Sequence, residues 1–459
     1  MAHIKTKRGL DIPIKGKPKG PVQTLPEGSA NRLRLIALDF SPFTYVKPRL
    51  LKKSGEVVKI GEPLVEDKGC SGRIFVSPAA GVIKEVRRGL KRRLMTVVIE
   101  VAENEEIVVL PPMDVSSVSR EQLIERFKES GLFAHIRQRP FDKIADPTKT
   151  PRSIFVKAIE STPFAPPPEL QVEGHESDFQ NGLDALSKMT SGSVHLVYRE
   201  GSECRAFTQA KNVEHHTAEG PHPIGNSSVH IHKISPIQNA EDVVWTLSAY
   251  DVMCIGHQLR TGKIYLEKVI SVAGPGILPD RAGYFRVRRG CPIEPLIVNR
   301  VEKGSMRFIT GNIYTGSKVE ADGFLGFYDF GFIVIPEDVS RELLHFFRLG
   351  IDKYTASKTY FSGHLDNSER EYNFTTSNHG EHRGFIIAKP YDKVMPMNIP
   401  TMHLVKAVMA EDYDLAELYG LLEVAPEDFG PATFVCPSKM EMVEIVRDGL
   451  RSYAREVLE

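Results

Sequence analysis

The chain has 459 residues, too many for one compact core, and ordinary domain sizes imply three or four units. Apolar residues make up 41% and charged residues 26%, the balance of a soluble globular protein. Lys+Arg and Asp+Glu number 59 each, which excludes the basic excess of a nucleic-acid binder.

Five scattered cysteines (Cys70, Cys204, Cys254, Cys291, Cys436) form no C-x-x-C pair, pointing to a reducing compartment rather than a disulfide framework. The stretch Met1 to Gly20 is basic, rich in Pro and Gly, and lacks an apolar h-region, so no signal peptide is expected. Then Gly55-x-x-Val58-x-x-Gly61-x-x-Leu64 and Ser77-Pro78-x-x-Gly81-Val82-Ile83 place glycines at turns between short apolar runs, a small-β signal. The pattern resembles the barrel-sandwich domains that carry lipoyl or biotinyl groups. Lys68, after Glu66-Asp67, invites comparison with a carrier lysine. Its distance from Pro78 is about two positions longer than in carriers, so an unmodified surface lysine is expected. Arg87, Arg88, Lys91, Arg92 and Arg93 fall across a predicted hairpin turn, as a solvated loop or as a patch facing a partner or lipid.

From Ser119 the period changes. Ser119-x-x-Gln122 has capping-box form, Leu123, Ile124 and Phe127 share a helical face, and Gly131 is a natural stop. A strand follows at Ile154 to Ile159, a helix through Phe179, Leu183, Leu186 and Met189, then strands at Val194 to Tyr198 and Val229 to Ile231. This alternation predicts an α/β layer domain. Short strands return at Val269 to Ala273, Phe285 to Arg289, Arg307 to Gly311 and Phe332 to Ile335. Leu343 to Leu349 reads as helical, Ser362 to Gly384 as an exposed polar excursion, and Met402 to Met409, Asp414 to Leu422 and Met440 to Val457 as helices. The longest apolar stretch, Phe324 to Ile335, is too short to span a bilayer and contains Asp329.

Chemistry-bearing motifs are sparse. His215, His216, His222, His230 and His232 fall close together, and His230 and His232 would share one strand face. They are either zinc or iron ligands or ordinarily hydrogen-bonded histidines, the latter favoured because no carboxylate or thiolate has ligand-like spacing. No P-loop, no helix-opening G-x-G-x-x-G, no G-x-S-x-G and no H-E-x-x-H occurs. Arg137-Gln138-Arg139-Pro140-Phe141-Asp142-Lys143 follows the first helix of the α/β domain, either near a ligand or as a salt-bridged turn.

Ser130-Gly131-Leu132, Arg137 to Pro147, Gly220-Pro221-His222-Pro223, Val229-His230-Ile231-His232 and Phe434-Val435-Cys436-Pro437-Ser438-Lys439 together resemble the A subunits of Na+-translocating NADH:quinone oxidoreductases, over nearly the whole chain. That resemblance implies a multidomain α/β plus β architecture. Residues 1–110 would form a barrel-sandwich hybrid domain with an N-terminal extension and 111–258 a Rossmann-like α/β domain. Residues 259–340 would be a β-grasp, SLBB-like domain, and 341–459 a helical domain of degenerate ferredoxin-like type without a cluster.

The same domain order resembles the C subunit of the Rnf complex and the NADH-binding flavoprotein subunit of respiratory complex I. Those relatives hold FMN on a glycine-rich loop and Fe–S clusters on cysteine runs. Here Arg137-Gln138-Arg139-Pro140 stands in the loop's place, and the matching tail retains Cys436 alone. The resemblance therefore implies a peripheral subunit with no FMN and no Fe–S of its own. It would belong to a complex, using flavins and Fe–S elsewhere, that oxidises NADH, reduces ubiquinone and exports Na+. Its partners would be the membrane and peripheral subunits B to F, on the cytoplasmic face of the bacterial inner membrane. The competing reading is an independent soluble flavoprotein NADH dehydrogenase subunit. If the subunit contacts quinone, Arg137, Arg139, His222, His230 and His232 are the candidate donors, since their residue types can donate to a developing oxyanion.

Overall fold

The first two strands pair with sheets far along the chain. In the computed structural model, which describes residues 1–25, 34–338, 343–344, 347–367 and 369–458, β1 (His3–Lys5) lies parallel to residues 217–219. β2 (Val22–Thr24) lies parallel to residues 284–286. The N-terminal arm thus closes the edges of two sheets that belong to later units, satisfying backbone groups that would otherwise stand open.

A first unit follows: β3 (Leu35–Asp39), β4 (Pro48–Leu50), β5 (Val57–Val58), β6 (Pro63–Asp67), β7 (Ile74–Val76), β8 (Gly81–Arg88) and β9 (Leu94–Val101). They form two small antiparallel sheets, in the orders β3-β9-β8-β5 and β4-β6-β7. Ile36, Leu38, Phe40, Leu64, Phe75, Ile83 and Val97 form the shared core. Lys68 is exposed at the β6–β7 tip, and the basic group lies across the β8–β9 hairpin, as the sequence predicts.

The second unit opens with α1 (Arg120–Glu129), whose Ser119–Gln122 capping box is formed and whose chain turns away at Gly131, φ 71°. It continues with β10 (Arg137–Arg139), β11 (Lys143–Ile144), β12 (Ser153–Ala158), α2 (Glu176–Ser187), β13 (Val194–Arg199), β14 (Glu214–Glu219), α3 (Ser227–Ile234), β15 (Val244–Ser248) and α4 (Ala249–Thr261). The sheet order is β1-β14-β13-β12-β15-β10-β11, with β12 to β15 mutually parallel, so the order reverses between β12 and β15. One face is covered by α2 and α4 over Phe127, Phe179, Leu183, Leu196 and Ile255. The other is covered by α3 and the C-terminal helices, over Phe141, Phe155, Val197 and Ile231.

The third unit, β16 (Glu267–Ala273), β17 (Gly283–Arg288), β18 (Met306–Thr310), β19 (Ser317–Val319) and β20 (Gly331–Pro336), is one mixed sheet in the order β19-β18-β20-β16-β17-β2. The last unit contains α5 (Thr401–Met409), α6 (Tyr413–Leu418), α7 (Gly430–Val435) and α8 (Met442–Leu458). In α8, Met442, Val446, Leu450 and Tyr453 recur at helical spacing and join the core beneath the α/β sheet.

Three expectations need correction. Val229 to Ile231 is helical, not extended: the segment crosses from β14 to the parallel β15, and such a crossover over the sheet is ordinarily helical. His230 and His232 therefore share no strand face. Of the two readings of Arg137 to Lys143, the salt-bridged turn is formed: the segment is a β10–β11 edge hairpin antiparallel to β15, tied by the Arg137–Asp142 ion pair. The helix expected through Leu422 ends at Leu418, because Gly420 adopts φ 94°, and resumes only as a 3-10 turn at Leu421–Glu423. Tyr372 pins the excursion at Ser362 to Gly384: its backbone pairs with Pro13 and Lys15 of the arm, and its side chain is buried. The helix expected at Leu343 to Leu349 includes residues 345–346, outside the described residues.

Candidate functional site

Open α/β sheets bind ligands beyond the carboxyl ends of the strands, where strand order reverses. Here the loops after β12 and β14 close on one another at the carboxyl ends. After β12, Glu160 Oε1 accepts from the Ser161 and Thr162 amides at 2.9 and 3.0 Å and from Thr162 Oγ1 at 2.6 Å. Ser161 Oγ lies 2.9 Å from His222 Nδ1 and accepts from the Gly225 amide at 2.9 Å. A Cβ on Gly225 would fall 2.8 Å from that Oγ, so the two loops touch. The arm covers them: the Leu10 amide donates to the His222 carbonyl at 2.7 Å, and the His222 amide donates to Asp11 Oδ1 at 2.9 Å. The His222 ring stacks on Tyr314 of the third unit, centroids 5.0 Å apart and planes 9° apart.

Beneath the crevice lies a buried polar network. Arg139, 2% exposed, donates from Nη1 to Ser228 Oγ at 2.6 Å, and Asn226 Nδ2 donates to Asp428 Oδ1 at 2.8 Å. Burial raises the Asp428 carboxyl above its ordinary range, against the pull of Arg139 and its hydrogen bonds. Lys157 on β12 faces Glu160 at 3.3 Å. Against the cost of burial, Lys157 and the loop donors hold Glu160 at about 2, while Glu160 and Glu427 hold Lys157 at about 12. His230 Nε2 meets the Ile224 carbonyl at 2.8 Å, and burial lowers both His230 and His222 to about 4. His232 spans to the last unit, with Nδ1 2.5 Å from Glu423 Oε2 and Nε2 accepting from the Asn398 amide at 3.2 Å.

An open cleft of about 370 Å³ lies elsewhere, where all four units meet. The first unit contributes Asp39, Thr44 and Tyr45, the second Arg137, Phe141 and Asp142. The third adds Thr310, Asn312 and Asp329, and the last Glu427, Arg447 and Arg451. Arg137 forms a fork onto Asp142, Nε to Oδ1 at 3.1 Å and Nη2 to Oδ2 at 2.6 Å, and lies over the Tyr328 ring at 5.2 Å. Against the burial cost, Arg137 and Arg139 hold the Asp142 carboxyl below its usual range. Glu427 is open to the cleft's water on one side, while crowding by protein and by Asp428, Asp142 and Glu160 raises it to about 7, against Lys157.

Of the five residues singled out from sequence, only Arg137 lines this cleft. Arg139 and His230 are sealed in the network below, His222 belongs to the closed crevice, and His232 ties two units together. The five clustered histidines do not converge; His215 meets the Ala210 carbonyl instead. Tyr45 and Glu427 give no signal in the sequence, because a junction of four units brings together residues from 39 to 451 with no local pattern.

Three family models match in the order of the units: the NqrA N-terminal barrel-sandwich hybrid domain over residues 4–102, the NqrA second alpha/beta domain over 118–264, and the NQRA C-terminal domain, of SLBB type, over 269–321. The A subunit of the Na(+)-translocating NADH-quinone reductase of Chlamydia caviae is 37% identical over 98% of this chain and 96% of its own length. The chain belongs to the NqrA family. Its likeness to the corresponding protein of Cellvibrio japonicus is 33%, over 99% of this chain and all of that one. An NAD+-reducing [NiFe]-hydrogenase in the air-oxidized state matches 73% of this NqrA family member and 66% of its own chain, at TM-score 0.38 and 10% identity, too low to carry an argument. Among the described residues, no helix is long and apolar enough to cross a membrane.

Proposed function

We propose that this chain is a peripheral, cytoplasmic-face subunit of a Na+-pumping NADH:ubiquinone reductase, held by subunits B to F. It carries no redox centre and shapes part of the quinone site at the four-unit cleft. The four units are read as barrel-sandwich (1–110), Rossmann-like (111–258), β-grasp SLBB-like (259–340) and degenerate ferredoxin-like helical (341–459). The observation that carries the quinone reading is the open cleft with Arg137 on its wall. A quinone head group needs a slot of a few hundred Å³ and donors at its carbonyl oxygens. Tyr45 offers ring surface there, and the Arg137 guanidinium offers hydrogen-bond donors.

The residues present do not fit a flavin. FMN would need the carboxyl-end crevice, which Ser161, His222, Gly225 and the arm close, and a backbone cradle for its phosphate, where this chain forms a hairpin. An Fe–S cluster fits no better. Cys436, buried beside Tyr391 Oη at 3.1 Å, is the lone thiol of its unit, and four thiolates are needed.

Arg137→Ala in the assembled complex should slow NADH:ubiquinone turnover at least tenfold while leaving NADH oxidation by an artificial acceptor unchanged. Equal turnover with ubiquinone would reject the cleft as part of the quinone site. Equilibrium dialysis of the isolated chain with FMN tests the other half, and stoichiometric binding at low micromolar concentration would contradict it.

A further inference from the structure

At the opposite, amino ends of the parallel strands lies a group that the proposed function does not use. The register pairs His195 on β13 with Glu214 on β14, and His216, two residues on, shares their face. His195 Nδ1 is 3.1 Å from His216 Nε2 and 3.4 Å from Glu214 Oε2, and His216 Nε2 is 3.9 Å from the same oxygen. Ligands bonded at ~2.0–2.1 Å around a tetrahedral ion stand roughly 3.3–3.4 Å apart, so the three atoms already approximate one face of a tetrahedron.

The hydrogens do not account for this convergence. The Ala2 amide donates to His216 Nδ1 at 3.0 Å, which leaves that ring's hydrogen on Nε2, pointing at His195 Nδ1. Glu214 Oε2 then faces the lone pair of His195 Nδ1 with no proton between them. The Ser193 hydroxyl, 2.5 Å from Glu214 Oε1, turns Oε2 toward the two imidazoles. Both imidazoles are buried, whereas the Glu214 side chain is 52% exposed, leaving a fourth position on the solvent side.

We propose that His195 Nδ1, Glu214 Oε2 and His216 Nε2 bind a divalent transition-metal ion, with zinc the best match to two imidazoles and one carboxylate. Loading moves the His216 hydrogen to Nδ1 and breaks the bond from Ala2, so it loosens the start of the arm. The other histidine–carboxylate group offers no such site. Asp178 Oδ2 accepts from His175 and His257 Nδ1 at 3.2 and 3.0 Å, and Arg260 Nε donates to Oδ1 at 2.6 Å, so a guanidinium already neutralises the carboxylate.

The test uses the full-length, tag-free chain, stripped with EDTA and titrated with Co2+. One equivalent should bind with the intense ligand-field bands of a four- or five-coordinate ion, and Zn2+ should displace it. His195→Ala, His216→Ala and Glu214→Gln should each weaken Zn2+ binding about 100-fold or more, since changes behind a ligand alone cost 10–100-fold, and Ser193→Ala about tenfold. His215→Ala and His257→Ala should bind as the parent does. Glu214 is exposed, so Glu214→Gln keeps the stripped fold and remains decisive even where a histidine variant misfolds. Absence of saturable binding at micromolar metal, full binding by Glu214→Gln, or loss of binding in His257→Ala would overturn the assignment.

Discussion

Two places in this molecule invite a ligand, and they are opposites. The carboxyl-end crevice of the parallel sheet is where the fold class predicts a cofactor, yet loops, arm and buried ions close it. The four-unit cleft matches no motif, yet it stays open and carries Arg137. The difference teaches that strand order alone does not mark where a fold is open, and that an opening can arise where units meet. If the crevice is structural and the cleft functional, changes in the first should cost stability and changes in the second should cost turnover.

Acid should expose the contrast most strongly. His222 and His230, held at about 4, sit in and beneath the crevice. Above the ordinary histidine pKa of ~6.5 they are neutral folded or unfolded. As pH falls from ~6.5 to ~4 the unfolded chain takes up protons that the native chain does not, so stability falls with pH and levels below about 4. Glu160, held at about 2, extends the loss from ~4.5 downward, whereas Glu427, raised to about 7, gives a smaller opposite slope on the cleft side. Urea midpoints measured from pH 7.5 to 4 should fall steadily, and His230→Gln should flatten that fall. A parent protein with a flat profile would mean the histidines are solvated.

Arg139→Ala should come next, at about 2–4 kcal/mol, because it empties a buried site, leaves Ser228 Oγ without its donor and removes the positive charge that opposes the burial of Asp428. Arg139→Met with Asp428→Leu should recover most of that loss in urea unfolding. A gain of FMN binding in either variant would show that closure alone excludes the flavin.

Gly225→Ala forces a methyl against Ser161 and should cost about 1–3 kcal/mol, read as a lowered Tm. Smallest in stability is Arg137→Ala at about 1 kcal/mol, since its ion pair with Asp142 is partly open to water. That variant should nonetheless lose the most quinone turnover, and a variant of normal turnover but low stability would erase the distinction between the two places.

Much of the fold was legible from the sequence. The Ser119–Gln122 box, the stop at Gly131, the β-branched run of β12 and the helical spacing of α8 are local signals, and the structure bears each of them out. The stretch Val229-His230-Ile231-His232 alternates like a strand, and only its place as a crossover between parallel strands makes it helical. The edge hairpin at Arg137 to Lys143 depends on β15, a hundred residues later. The cleft was illegible for the same reason: its walls are set by packing between units. His195 and Glu214 meet only through strand register, which alternation alone does not supply.

The arm's pairing also sets a timetable for synthesis. β2 leaves the ribosome early, but its partner β17 is completed 264 residues later, at Arg288. At ~5–20 residues per second the wait is roughly 13–53 s, ample for the first unit to fold meanwhile. The residues of the arm are therefore made well before their partners and are among the last to find their native places. They act as a latch that shuts only when the α/β and third sheets already exist.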